Sequence, residues 1–312
     1  MNVAALDLGP NSFGLLVGRA RRDRSVEKID SKKVPLRIGD AVAGSGAIPE
    51  AVFERGLAVV RDMLDTAREL DADCVAAVGT SALRDASNGG DFVYAAADRF
   101  GLGIQIVSGD EEARLVYRGA RSALGELPER VLVADLGGGS LELAVGDGDD
   151  CLSVESLPLG FLRIARDLEL AATLGGASLA AVHAHVRGSA ERVLGRLVAF
   201  SPRAFVLSGG TARALARVAT ALGVRELTGN QLVRLASYLA ARDASQLQVL
   251  GVEASRVPVF GVGVAVLAAV VELSGADFVH VSAGGLREGV VLRETKTQRL
   301  ARARASMRTW AA

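Results

Sequence analysis

Short apolar runs separated by glycine-rich turns open the chain, and strand-like and helix-like spacings then alternate. Residues 3–8 and 13–18 predict two strands joined by the turn Gly9-Pro10-Asn11-Ser12, with a third strand over residues 26–36. GDAVAGSGAI reads as a loop, and Pro49 then opens a helix reaching about Leu70. CVAAVG predicts a buried strand, DFVYAAADRF a helix, GIQIVSG a strand and DEEARLVYRGARSAL a helix with one face to bury.

Beyond Pro128 the order starts again. Strands are expected at 131–135, 141–145 and 152–159, with helices near 177–200, 211–222, 231–242 and 262–273. Short strands follow at 204–207 and 278–281, and a last helix begins near Leu286. The restart is a repeat. VADLGGGSLELAVG overlays ALDLGPNSFGLLVG at an offset of 128, aligning Asp7 with Asp135, Gly9 with Gly137 and Ser12 with Ser140. The expected organisation is an α/β half over residues 1–127, a second over 128–292, a cleft between them and a tail over 293–312.

Composition narrows the reading. The 312 residues suffice for two ordinary domains, and half of them are hydrophobic. Lys+Arg and Asp+Glu balance at 36 each, so bulk charge selects neither a nucleic acid nor a membrane as partner. Cys74 and Cys151 read as buried reduced thiols of a cytoplasmic protein, and the N-terminus carries no signal pattern. VPVFGVGVAVLAAVVEL, broken by glycine, reads as a core helix.

A hairpin tip made of glycine exposes backbone N–H groups that can cradle an anion, and Gly137, Gly138, Gly139 and Ser140 form such a tip. Ser208, Gly209, Gly210 and Thr211 stand between a strand and a helix, where amides again face an anion. Neither a GxxxxGK[ST] loop nor a GxGxxG turn after a strand is present. Asp135 and Glu142 approach each other across the base of the second hairpin, and adjacent carboxylates favour a bridging divalent cation. Alone, Glu142 could be a solvated strand residue, and Arg84 a surface arginine paired with Asp85. Ser108 and Glu111 fit a capping box, which leaves Glu112, turned about 100° further round the helix, without a structural role. The basic runs at 19–24 and 296–308 read as solvated faces, or as tracks for a long polyanion; His183, His185 and His280 form no metal set.

Taken in order, DLGPNSFGLLV, PLRIGD, GTSALRDASNGGDF, IVSGDEEARLVYRG, VADLGGGSLELAVG, SLPLGFLRI, LSGGTARAL and GGLREGVVL resemble the exopolyphosphatase/guanosine-pentaphosphate phosphohydrolase (Ppx/GppA) family, in its short two-domain form. The resemblance implies two RNase H-like domains of the actin-like, sugar-kinase and Hsp70-like ATPase fold. It implies a cytoplasmic, Mg²⁺- or Mn²⁺-dependent exopolyphosphatase acting on inorganic polyphosphate, or alternatively on guanosine pentaphosphate, (p)ppGpp, and a homodimer. Glu112 matches the family's general base and Arg84 its phosphate-contacting arginine. Asp7, Asp135 and Glu142 match the metal side, and Asn11, Ser12, Gly137 to Ser140 and Gly209 to Thr211 the phosphate cradles. Two positions depart from the pattern: Pro10 stands where relatives have a small hydroxyl residue, and Gly14 where they often have histidine or arginine. Proline offers no N–H, so Asn11 and Ser12 are expected to carry more of the first cradle. A polyphosphate or alarmone binder with weakened turnover, and a kinase of the same fold, are the rival readings.

Overall fold

The computed structural model describes residues 1–125 and 128–310, with side chains as far as residue 301. The expected boundary at 127/128 and much of the 296–308 basic run therefore touch residues outside the description.

Two mixed sheets carry the chain. In the first, β1 (Val3–Leu8), β2 (Ser12–Ala20) and β3 (Val26–Pro35) form an antiparallel meander. β4 (Cys74–Gly79) and β5 (Ile104–Ile106) add in parallel on the β1 side, giving the order β3-β2-β1-β4-β5. In the second, β6 (Arg130–Leu136), β7 (Leu141–Asp147) and β8 (Asp150–Leu157) repeat the meander. β9 (Ala204–Ser208) and β11 (Phe278–Val281) extend it in parallel, and β10 (Leu227–Thr228) closes the edge. Even the irregularity repeats, since the register shifts between Val17 and Gly18 and again between Val145 and Gly146. The fold is two RNase H-like domains of the actin-like type.

Each sheet buries one face against its own helices. The first packs on α2 (Glu50–Glu69) and α4 (Gly89–Phe100), with Phe13, Phe53 and Phe92 in edge-on contact. The second packs on α7 (Gly176–Val198), α8 (Gly209–Ala221), α9 (Gly229–Ala240) and α11 (Val257–Ser274). α11 is long and apolar enough to cross a membrane, but 78% of it is buried inside the protein, as a core helix should be. It begins at Val257, where its apolar run begins, and not near the expected 262, because Pro258 is tolerated in the first turn.

The opposite faces of both sheets share a third core. Its filling is α5 (Gly109–Ser122) and α12 (Leu286–Trp310), lying between the sheets. The two helices approach backbone to backbone. A Cβ at Gly119 would fall on the Gly285 carbonyl, and one at Gly289 on the Leu115 carbonyl. This close packing brings the first turns of α5 and α12 to the rim between the domains.

Four short helices escape the sequence pattern: α1 (Ile38–Ser45), α3 (Ser81–Asp85), α6 (Phe161–Asp167) and α10 (Ala244–Val249). α1 replaces the expected loop. The capping box of α5 is only half formed. Ser108 Oγ accepts from the Glu111 N–H, but the Glu111 carboxylate turns instead to Gln105 and to Arg293 of α12. Cys74 and Cys151 are free and half-buried rather than fully buried.

Candidate active site

Alternation along β1 places Val3, Ala5 and Asp7 on the face toward the shared core, and along β6 it does the same for Val131, Val133 and Asp135. The aspartates are the last members of these rows. They emerge where the apolar layer ends and the cleft begins.

Behind each hairpin tip stands one of the unforeseen helices. The amides of Leu36 and Arg37 donate to the Asn11 carbonyl, and that of Gly39 to Pro10, so the start of α1 seats the first tip. The amide of Phe161 donates to the Gly137 carbonyl and those of Leu162 and Arg163 to Gly138, so α6 seats the second. The Arg163 guanidinium takes the Gly139 carbonyl at 3.1 Å and crosses the cleft to Asp85 at 2.7 Å. In a trans peptide the N–H points opposite to its C=O. With their carbonyls held from behind, the tips therefore turn the amides of Asn11, Ser12, Gly138, Gly139 and Ser140 outward.

The start of α8 differs. Gly209, Gly210 and Thr211 are the first residues of α8, so their amides have no acceptor within the helix, and no turn or cap hydrogen bond among the described residues engages them. Gly209, at φ 92°, starts the turn in a conformation that favours glycine. The Arg256 guanidinium nitrogens lie 2.5 Å from where a Gly210 Cβ would stand. A helix N-terminus and a guanidinium are both positive, so their juxtaposition asks for an anion.

These elements enclose a narrow cavity of about 120 Å³. Its cations are Lys33, Arg213, Arg256 and Arg287, and its acids Asp7, Glu112, Asp135 and Glu288. Burial dominates the protonation of Asp7, Asp135 and Glu112. It pushes Asp7 up to about 6 and raises Asp135 above the ordinary range. Burial, with the charge of neighbouring Glu142, lifts Glu112 well above it; Arg84, whose Nη1 is 3.3 Å from Glu112 Oε2, pulls the other way. Glu142 is pushed up to about 7 by burial despite hydrogen bonds from Ser140 and Ser156. The two glutamates titrate as a pair.

Most of the expected residues meet here. Asp7, Asn11, Ser12, Glu112, Asp135, Gly137, Gly138, Gly209 and Gly210 line the cavity. Arg84 stands behind Glu112, with its Nη1 also donating to the Val107 carbonyl at 2.8 Å. Its partner is thus Glu112 and not Asp85, which Arg163 holds. Glu142 and Ser140 lie buried behind the wall, and Thr211 packs against Gly263. Gly139 faces a second cavity, of about 470 Å³, which shares Pro10 and Gly138 with the first. Pattern reading did not single out Lys33, Arg213 or Arg287, and gave Arg256 no role. The one available signal for Lys33 was its place on the strand that follows the first hairpin.

Comparison with known proteins supplies the family. The sequence profile of the Ppx/GppA phosphatase family matches residues 19–298. The chain belongs to the Ppx/GppA phosphatase family. A Vibrio cholerae guanosine-5'-triphosphate,3'-diphosphate pyrophosphatase is 32% identical over 295 residues, covering 92% of this chain and 58% of the relative. The chain thus spans somewhat over half the length of that Ppx/GppA relative. An exopolyphosphatase from Cytophaga hutchinsonii superposes with a TM-score of 0.84 at 22% identity, covering 93% of this chain and 96% of that one. The Aquifex aeolicus Ppx/GppA family member gives 0.80 at 24%, covering 96% and 98%. These two likenesses carry the fold.

The second hairpin of this Ppx/GppA chain fits a divalent cation. Asp135 Oδ1 and Glu142 Oε2 are buried carboxylate oxygens without a hydrogen-bond partner. Among the described residues no three His, Cys, Asp or Glu side chains converge on one point. The two unpartnered carboxylate oxygens match Mg²⁺, which takes one or two carboxylates and fills its shell with water and substrate phosphate oxygens.

Proposed function

We propose that the chain hydrolyses the terminal phosphoanhydride bond of inorganic polyphosphate and releases orthophosphate. The observation that carries this reading is the buried Glu112 carboxylate, in one cavity wall, facing the Gly137–Gly138 bend and the unpartnered start of α8. Glu112 takes a proton from water as the water oxygen bonds to the terminal phosphorus. The bridging P–O bond breaks, and its electron pair leaves on the shortened chain. The raised proton affinity of Glu112 strengthens it as a base for this transfer. Arg84 holds the base by its ion pair and offers its remaining N–H groups to the equatorial oxygens. Outward amides at Asn11, Ser12, Gly138, Gly139 and Ser140 of the two tips, the second of which begins at Gly137, and the start of α8 through Thr211, would hold the phosphates along the cleft. Asp135 and Glu142 would hold Mg²⁺, which supplies neutralisation of the phosphate charge.

A second substrate reading has its own support. The 470 Å³ cavity beyond Pro10 has an apolar wall that includes Val42, Ala43 and Leu162, with Asp40 and Asp85 at hand. It offers room for a nucleoside next to the phosphate site, in keeping with the name of the Vibrio relative. Orthophosphate release from polyphosphate and from guanosine pentaphosphate, measured side by side, separates the two. Release from neither, with tight binding retained, would leave a binding protein.

A further inference from the structure

The duplicated hairpins part company at one position. A row of side chains crosses each sheet at the level of the aspartate. In the second sheet the row reads Ser156, Glu142, Asp135, Ser208. In the first it reads Lys33, Gly14, Asp7, Val78. Residues paired directly across strands project from the same face. Gly14 therefore opens a gap between Lys33 and Asp7 where the other sheet has Glu142.

Arg287 of α12 fills that gap. Its Nη1 lies 3.2 Å, and its Cδ and Cζ 3.5 Å, from where a Gly14 Cβ would stand. Nη1 donates to the Leu15 carbonyl at 2.9 Å, which anchors one end of the guanidinium and leaves the others toward the cavity it lines. Of the charges that work against burial at Asp7, Arg287 is the largest and Lys33 the next. Asp7 thus stands between two cations, whereas Asp135 stands beside a carboxylate with an unpartnered oxygen.

We propose that Arg287, seated over Gly14, binds a non-reacting phosphate of the substrate, and that Asp7 aims this guanidinium instead of holding the metal. The inference rests on the phosphoanhydride reading above. The physical reason is a division of charge between the two rows. A divalent cation at Asp7 would sit against Lys33 of its own row and Arg287 seated in it, while the row at Asp135 and Glu142 consists of acids and hydroxyls, with Arg213 and Lys33 acting on Asp135 from outside that row. A planar guanidinium with free N–H groups, fixed by one backbone acceptor, matches two oxygens of a phosphate at once.

The test uses the full chain carrying Glu112→Gln, so that ligand is not consumed, with inorganic tripolyphosphate and Mg²⁺ in a calorimetric titration. Adding Arg287→Ala is expected to weaken tripolyphosphate at least tenfold, and Arg287→Lys less. Gly14→Arg should weaken binding while Arg287 is present, because two guanidinium groups then compete for one gap. In the Arg287→Ala background the same change should restore binding. That reversal of sign is something a merely structural arginine would not produce. Mn²⁺ affinity, read by electron paramagnetic resonance without substrate, should stay within about twofold in Asp7→Asn and fall at least tenfold in Asp135→Asn. Equal tripolyphosphate binding with and without Arg287, or the same loss from Gly14→Arg in both backgrounds, overturns the phosphate role. Loss of Mn²⁺ in Asp7→Asn overturns the aiming role. If the parent protein neither binds tripolyphosphate nor, with Glu112 intact, releases phosphate, the phosphoanhydride reading itself has failed and the inference falls with it.

Discussion

At the level of the aspartates the first sheet sets Lys33, Gly14 and Asp7 side by side, and the second sets Ser156, Glu142 and Asp135 in the same places. The scaffolds beneath them match in strand order, in the position of the register shift and in the short helix that seats each tip. The scaffold is held by backbone hydrogen bonds and by apolar side chains on the buried layers. Side chains at the cleft end of each row bear little of that packing, so their charge can differ without disturbing the fold. The outcome is one row rich in cations facing one rich in acids, which is what a substrate of linked phosphates with a bound metal requires.

The largest expected effect comes from removing the proposed base. Glu112→Gln should lower phosphate release by roughly a hundred- to ten-thousandfold with substrate binding largely kept, as single-turnover assays would show. An unchanged rate would sever the chemistry from this cleft.

Next comes the acid row without metal. Glu142 is almost fully buried and titrates near 7 in the folded chain against 4.5 for the free side chain. A raised carboxyl favours folding while it is protonated. Its contribution is therefore complete below about pH 4.5 and is lost as pH rises through about 7, a change of about 3 kcal/mol. Asp7 acts in the same sense up to about pH 6. Lys33, lowered to about 8, holds its contribution steady until the upper end of this window, where its loss of a proton begins to favour folding. Urea midpoints in EDTA should fall from pH 5 to 8, flatten when Mg²⁺ is supplied, and flatten in Glu142→Gln. A level profile in EDTA would mean that the acids are already compensated.

Making the rows alike sharpens the contrast. Glu142→Gly gives the second row the first row's glycine without its arginine, and should lower activity about tenfold to a hundredfold while raising the Mg²⁺ concentration needed. Excess chelator should act in the same direction on the parent protein.

The smallest effect separates cleft glycines from core ones. Gly289→Ala forces a methyl onto the Leu115 carbonyl between α12 and α5, and should cost about 1–3 kcal/mol in urea unfolding. Gly14→Ala meets only the movable end of Arg287 and should cost less than 1 kcal/mol. Equal costs would mean that Arg287 is as rigid as backbone.

Much of this was legible in the residue order. The repeat at an offset of 128 exposed the paired hairpins, and the acids Asp7, Asp135 and Glu112 stood out because they interrupt apolar runs or exceed what a helix cap needs. α1 was not legible. Its eight residues, IGDAVAGS, include two glycines and offer only one i, i+4 apolar pair, Ile38 and Val42; the Gly39 amide finds its acceptor in a hairpin tip more than twenty-five residues earlier. α6, seven residues long, shares only the second of these features, its first amides donating to the distant tip at Gly137 and Gly138. Lys33 looked like its neighbour Lys32, and only strand register sends Lys32 to Asp62 and Lys33 to the cavity. Arg287 lies 273 positions from Gly14, and nothing local in either stretch announces the other.

By itself, then, the amino-acid order determined the duplicated α/β architecture, the two glycine-bearing tips and the acids at their bases, because those follow from local period and turn chemistry. Tertiary structure alone decided which cations reach the cleft and which amides remain free. Both depend on glycine-to-backbone contact between α5 and α12 and on register across strands. Such contacts join parts of the chain too far apart for any local pattern to record.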